Sequence, residues 1–244
     1  MRILINGANG RMGQMLAQCI ETAGHTIAGR ISPSYTLDAE AGTYPTPESF
    51  NGGADVLVDF SNHAATAGLM NYCVNRKLPA VVATTGQTAE EMECIRTAAQ
   101  SIPLFLSANM SIGIALLAEM AKKAAAMFPD ADIEIIERHH NQKLDVPSGT
   151  ALLLARRMQE VCTDSELLIG RRDHGKRGRE IGIHSLRYGT EVGTHEILIA
   201  ANGETMTLKH EAENRGLFAQ GALAAAAFLI DKGPGLYDMR DIVA

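Results

Sequence analysis

The 244-residue sequence has no tryptophan, few aromatic residues (5%), four cysteines and no long unbroken apolar run. Each shortage removes a class of function. With so few rings and a net charge of −6, the chain offers neither a base-stacking platform nor the basic excess that nucleic acid requires. Any anion it holds is small and held locally. Cys19, Cys73, Cys94 and Cys162 lie far apart with no CxxC pair, which signals neither a zinc site nor a disulfide framework. They read as reduced thiols. GALAAAAFLI, the longest apolar stretch, is too short to span a bilayer. The opening MRILINGANG reads as a strand running into glycines, not as a leader peptide. The expectation is a cytoplasmic protein with no nucleic-acid or membrane partner.

What the sequence does have is 46% hydrophobic residues in a chain long enough for one large domain or two small ones. RILIN, HTIAGRI, ADVLVDFS, PAVVATTG and IPLFLSAN read as strands. Between them Met12, Leu16 and Ile20 mark one helix, and 64–75 and 89–101 mark two more. Strands that are continuously apolar and separated by helices imply a parallel sheet covered on both faces. That is an α/β, Rossmann-type doubly wound arrangement. The pattern changes after a long helix with Ile112, Leu116, Met120, Ala124 and Phe128 on or near one face. DIEIIERHH and HEILIAANGETMTLKHEA alternate in period two, with Asn202-Gly203 as a hairpin turn. They predict a second, α+β domain with a mostly antiparallel or mixed sheet. The apolar helix over 216–231 is expected to return to the first domain. The expected division is therefore 1–108 plus 214–244 for one domain and 109–213 for the other.

INGANGRMG sets Gly7, Gly10 and Gly13 between a strand and a helix. A dinucleotide pyrophosphate needs that geometry: a tight turn, close backbone approach, close helix packing and a helix N-terminus facing the anion. GxxGxxG is looser than GxGxxG, but the strand–turn–helix context is right. Gly7, Ala8, Asn9, Gly10, Arg11, Met12 and Gly13 are the candidate cofactor residues. An acidic residue ending strand two would favour NAD. Ala28-Gly29-Arg30-Ile31 has none, and Arg30 suits a 2′-phosphate, although an arginine there is often merely solvated. NADPH is favoured and NADH use stays open. Ala83-Thr84-Thr85-Gly86 and Ser107-Ala108-Asn109-Met110 also follow strands, at the carboxyl ends where open sheets bind ligands.

A second constellation is ERHHNQKLDVPSGTA. Period two puts His139 on a face with Ile135 and Glu137 and turns His140 the other way. The pair is then no twin metal ligand, and no metal is expected. Lys143 follows, and Pro147-Ser148-Gly149-Thr150 opens a helix with Ala151, Leu154, Ala155, Met158 and Val161 on its apolar side. Ser or Thr there caps the helix; the same amides and hydroxyls also make a carboxylate cradle. Against a reading of one core and one exposed histidine, we take His139, His140, Lys143, Ser148, Gly149 and Thr150 as a site for a carboxylate-bearing substrate that needs a proton. His25, His63, His174, His184, His195 and His210 read as structural. Arg171, Arg172, Lys176 and Arg177 read as a solvated loop over 171–179 rather than a lid.

EIIERHHNQKLDVPSGTA resembles the signature of the 4-hydroxy-tetrahydrodipicolinate reductase family, long called dihydrodipicolinate reductase. The likeness runs through GANGRMG, DFS, ATTG, SANMSIG, IGIHSLRYGTEVGTHEILIA and ENRGLFAQGALAAAAFLI, nearly the whole chain. It implies an NAD(P)H-dependent reductase of lysine and diaminopimelate biosynthesis acting on a small cyclic dicarboxylate. It further implies His139 as proton donor, Lys143 as its partner, and His140 with the 148–150 turn on the substrate carboxylates. Residues 7–12, 83–85 and 107–110 match its cofactor positions, and a homotetramer built through the central domain is implied. Gly29 stands where the family often has an acidic residue, which favours NADPH; ATTG for GTTG is minor. Two rivals fit less well. An acylating semialdehyde dehydrogenase needs a reactive cysteine beside the His/Lys cluster, and a redox-sensing NADP-binding protein has no use for HHxxK before PSGT.

Overall fold

Ile3, Leu4 and Ile5 carry no exposed surface and form the middle of the first strand, as a run apolar on both faces should in a covered sheet. The computed structural model describes residues 1–171 and 175–244. In chain order the elements are β1 (Arg2–Asn6), α1 (Arg11–Thr22), β2 (Thr26–Ile31), β3 (Thr43–Tyr44), β4 (Val56–Asp59), α2 (Thr66–Arg76), β5 (Ala80–Val82), α3 (Ala89–Ala99) and β6 (Pro103–Leu106). Then come α4 (Ile112–Met127), β7 (Asp132–His139), α5 (Gly149–Gln159), β8 (Glu166–Ile169), β9 (Glu180–Arg187), β10 (Gly193–Ala201) and β11 (Glu204–Ala212). The chain closes with α6 (Gly216–Leu229), β12 (Gly235–Tyr237) and α7 (Arg240–Val243). Two compact units result, Met1–Ile112 with Gly216–Ala244, and Gly113–Arg215.

The first unit is a parallel sheet in the order β12-β6-β5-β4-β1-β2-β3. The strand order reverses between β1 and β4, so the carboxyl ends of those two strands flank a topological switch point. Leu4, Leu57, Ala80 and Leu104 turn to one side and pack with Leu69, Cys73 and Ile95 of α2 and α3. On the other side α6 lies against α1 and across β4, β5 and β6, where Phe105 meets Phe228 edge to face at 6.1 Å. Each of the larger fully buried side chains contributes about 1.5–3 kcal/mol. Local signals set the boundaries: Thr88 and Glu91 close a reciprocal capping box at the start of α3.

The second unit is a sheet in the order β11-β10-β7-β9-β8. β11, β10 and β7 are antiparallel neighbours, whereas β7, β9 and β8 run parallel. The sheet is thus mixed rather than mostly antiparallel, because α5 carries the chain back to the end from which β8 starts. Ile133, Ile135, Ile181, Ile183, Ile197 and Ile199 form one buried face under α4 and α5. Asn202 and Gly203 adopt positive φ (54° and 83°) between β10 and β11, as a tight hairpin demands. One detail differs from the sequence reading. In α4 the packed side carries Ile114, Leu117, Ala118, Ala121 and Ala125, while Ile112, Leu116 and Met120 are exposed. The helix is apolar nearly all round, so periodicity did not single out the face that packs. Among the described residues no helix is long and apolar enough to cross a membrane.

Candidate functional sites

In the first unit the chain leaves β1 at Asn6 and turns at Gly7, whose φ of +77° is left-handed. A Cβ on Gly7 would lie 2.5 Å from the Phe60 carbonyl oxygen, and one on Gly13 would lie 2.3 Å from that of Gly7. Helix α1 therefore starts hard against the turn. The amides of Gly7 and Ala8 both donate to the Ile31 carbonyl at 3.0 Å, which fixes the turn on the end of β2. Gly10 is the N-cap of α1 and no side chain caps it, so the helix presents the first-turn amides of Arg11, Met12 and Gly13 at its positive end. A cavity of about 700 Å³ opens here, with Gly7, Asn9, Gly10, Ser32, Ser34 and Ser61 among its walls. That is ample for a nucleotide-sized ligand.

Polar groups knit the cavity wall. Asn9 Nδ2 donates to Ser34 Oγ at 2.9 Å, and the Ser32 and Ser34 hydroxyls are 3.0 Å apart. The buried carboxylate of Asp59, at the end of β4, accepts from Asn6 Nδ2 (2.8 Å), the Ser61 amide (3.1 Å) and Thr84 Oγ1 (2.7 Å). It ties together the ends of β1, β4 and β5, and burial pushes its pKa up. The Ala83–Thr85 turn follows β5, and the Ala83 amide donates to the Asp59 carbonyl at 3.0 Å. After β6 the Ser107 hydroxyl donates to the Asn109 carbonyl at 2.7 Å, with Ala108 exposed and Met110 buried. These two turns share the sheet's carboxyl edge with Gly7 without lining the cavity. Arg30 stands apart. Its guanidinium pairs with Glu21 at 3.3 Å; β2 ends at Ile31, as HTIAGRI predicts, and Ser32 follows it.

In the second unit β7 aims Ile135, Glu137 and His139 to the buried side of its sheet. Glu137 has no exposed surface. Its Oε2 is 2.5 Å from His139 Nδ1, its Oε1 accepts from the Ser148 amide at 3.1 Å, and Arg187 donates to its two oxygens at 2.7 and 2.8 Å. Burial pushes the Glu137 carboxyl up, but the hydrogen bonds from His139 and Arg187 outweigh it and hold it well below the usual carboxylate range. Ser148 is the N-cap of α5: its Oγ accepts from the Ala151 amide and lies 3.0 Å from His195 Nε2. The His139 and His195 rings meet edge to face at 5.2 Å. Burial first, then the charge of His139, push the His195 pKa down to about 3, so this ring is neutral.

Lys143 Nζ lies 2.8 Å from Asp145 Oδ1. Burial pushes the Asp145 carboxyl up, yet the Lys143 ammonium and the Gly149 amide more than offset that and hold it low. A carboxylate is thus seated between Lys143 and the first amide of α5. Gly149 is exposed and Thr150 half-buried at the same helix end. The His140 amide donates to the Glu191 carbonyl at 2.8 Å, and the residue is half-buried just past the end of β7.

Glu137, Arg187, His195 and Asp59 were not singled out by the sequence reading. Glu137 had a signal, since it precedes His139 by one strand period. Arg187, His195 and Asp59 reach their partners only through tertiary pairing. His63 and His184 pair with Glu91 and Glu134. Arg171 pairs with Glu180, and Arg177 with Asp132 and Glu134; Arg172 and His174 lie outside the described residues. The thiols of Cys19, Cys73 and Cys162 are all pushed up by burial, the opposite of an activated nucleophile.

Comparison with known proteins agrees across the full length. Residues 1–110 match the family profile described as dihydrodipicolinate reductase, N-terminus, and residues 113–243 match dihydrodipicolinate reductase, C-terminus. The chain is 41% identical to the 4-hydroxy-tetrahydrodipicolinate reductase of Caldanaerobacter subterraneus subsp. tengcongensis, over 100% of this chain and 98% of that one. It is 42% identical to the enzyme of that name from Clostridium tetani, over 98% and 95%. Among solved structures, the dipicolinate-bound dihydrodipicolinate reductase from Paenisporosarcina sp. TG-14 superposes with a TM-score of 0.84 at 26% identity, covering 99% of both chains.

Proposed function

The chain belongs to the dihydrodipicolinate reductase family, a family of oxidoreductases, and on that footing we propose that it reduces 4-hydroxy-tetrahydrodipicolinate, or its dehydrated dihydrodipicolinate form, to tetrahydrodipicolinate in diaminopimelate and lysine biosynthesis. The first unit binds the nicotinamide nucleotide and the second binds the substrate. The Gly7 and Gly13 contacts leave no room for side chains between turn and helix, which fits a pyrophosphate held on backbone amides. When bound, the reduced cofactor supplies a hydride. NADPH is the preferred reductant, with NADH as second choice. That preference rests on Ser32 and Ser34, not a carboxylate, following β2. It does not rest on Arg30, which is tied to Glu21.

His139 donates the proton that accompanies the hydride, and Lys143 stabilises charge building on the conjugated imine ring more in the transition state than before it. His140, Ser148, Gly149 and Thr150 hold the substrate carboxylates. The single observation that carries this reading is Asp145, an internal carboxylate already lying between Lys143 and the α5 N-terminus. A ring dicarboxylate, the class bound by the Paenisporosarcina relative, offers the same group to the same partners.

The test is NADPH incubated with the protein and freshly generated cyclic imine, following absorbance of the reduced cofactor. Oxidation that requires both protein and imine is the expected result; none at any imine concentration overturns the proposal. The assembly is a homotetramer built through the second unit. Ile136 and Leu198 lie on the sheet face away from α4 and α5, and Leu186 there is exposed. Sedimentation at the mass of four chains is expected, and a monomer at micromolar concentration refutes this.

A further inference from the structure

The buried acid Glu137, between the proposed proton donor and the proposed carboxylate cradle, takes no part in the proposed hydride and proton transfer. We infer that Glu137 is the positioning residue of this site, one carboxylate that sets both the orientation of the His139 imidazole and the place of the Ser148 turn, with Arg187 as its counter-charge. The inference rests on His139 being the proton donor.

Three observations converge. First, Glu137 Oε2 lies 2.5 Å from His139 Nδ1. A carboxylate at that nitrogen keeps a hydrogen on Nδ1 and assigns proton delivery to Nε2. Second, a Cβ at position 193 would stand 2.8 Å from His139 Nε2, so only a glycine in β10 leaves that nitrogen clear of a side chain. Third, the other oxygen of Glu137 holds the Ser148 amide at 3.1 Å. Donor and cradle therefore move together or not at all. A buried carboxylate this far from water needs a partner, and Arg187 supplies it from β9 with two hydrogen bonds while also donating to the Asp145 carbonyl at 2.6 Å.

The proton balance is simple. His139 enters doubly protonated and gives its Nε2 proton to a ring carbon of the dehydrated dihydrodipicolinate form, from which water has already left, to match the hydride that a bound reduced nicotinamide would supply. It is left neutral, with its remaining hydrogen on Nδ1 against Glu137. Glu137 stays a carboxylate throughout, and solvent restores the lost proton. The charged or titratable groups around His139 are Glu137 on its own strand, Arg187 on β9, His195 on β10, Glu191 before β10, and Lys143 with Asp145 in the following loop. Removing the charge of Glu137 leaves an unbalanced Arg187 beside the imidazole and makes it harder to protonate.

The experiment is the pH profile of kcat for Glu137→Gln, Glu137→Asp and His139→Gln. The alkaline limb reports loss of the donor's proton. In Glu137→Gln it is expected to move to lower pH by about 1–2 units, with turnover near neutrality down about 10–100-fold and KM for NADPH unchanged. Glu137→Asp keeps the charge and should return the limb most of the way. An unmoved limb in a folded Glu137→Gln protein, alongside an inactive His139→Gln, overturns the inference and leaves the donor assignment standing. Wild-type turnover in His139→Gln would instead remove the donor assignment itself. Should Glu137→Gln fail to fold, nitrogen-15 NMR of the wild-type ring decides: the neutral form carries hydrogen on Nδ1 if the inference is right and on Nε2 if it is wrong.

Discussion

His139→Gln keeps a polar side chain of similar reach but no titratable nitrogen. Turnover is expected to fall by about two to four orders of magnitude with KM little changed, and steady-state oxidation of NADPH measures it. Lys143→Ala should raise KM and lower kcat together, because the same ammonium is proposed to hold a carboxylate and to stabilise charge on the ring. Kinetics unchanged by that substitution would leave Lys143 without a role. His195 makes a different demand. Its pKa lies at about 3 in the folded chain against about 6.5 when unfolded. Between those values the unfolded chain binds the extra proton, so stability falls as pH drops through 6.5 and goes on falling toward 3. Glu137, also held low, adds a loss of the same sign below the ordinary carboxylate range. Unfolding free energies from urea titrations should therefore decline steadily on acidification from the ordinary histidine range downward. His195→Gln should flatten the upper part of that decline.

At the scale of the element, the β1–turn–α1 unit allows little variation. Gly7→Ala places a methyl group 2.5 Å from the Phe60 carbonyl oxygen at a φ of +77°, a steric and conformational penalty of about 1–3 kcal/mol. A lower unfolding temperature and weaker NADPH binding are expected together, and calorimetry with and without cofactor reads both. Such elements were legible in the sequence because their signals are local: RILIN before glycine, the alternation in DIEIIERHH, Asn202-Gly203 between two period-two runs. β3 and β12 were not, since strands of two and three residues owe their pairing to neighbours and carry no pattern of their own. β2 ends at Ile31, where HTIAGRI places it, and passes through Gly29, a buried position at which a Cβ would stand 3.0 Å from the Phe50 and Tyr44 rings. In the candidate site, the stretch from Glu137 to Thr150 announced itself by residue type and spacing. Arg187 and His195 reach it from β9 and β10, by register that no local window displays.

For the whole molecule, the first unit is assembled from two stretches of chain separated by the second. β12 pairs with β6, and α6 covers β4, β5 and β6. A chain cut after Arg215 should keep the residues of the five-stranded sheet but bare the apolar surface under α6 and the outer edge of β6, and is expected to aggregate through both. Light scattering of that fragment against the intact chain is the check. The order in which a ribosome releases the chain then acquires a meaning. The opening strands emerge first yet wait for their last helix, while the inserted segment has all of its own partners at hand before Gly216 appears. The middle of the polypeptide is free to mature during translation; its two ends must find each other afterwards.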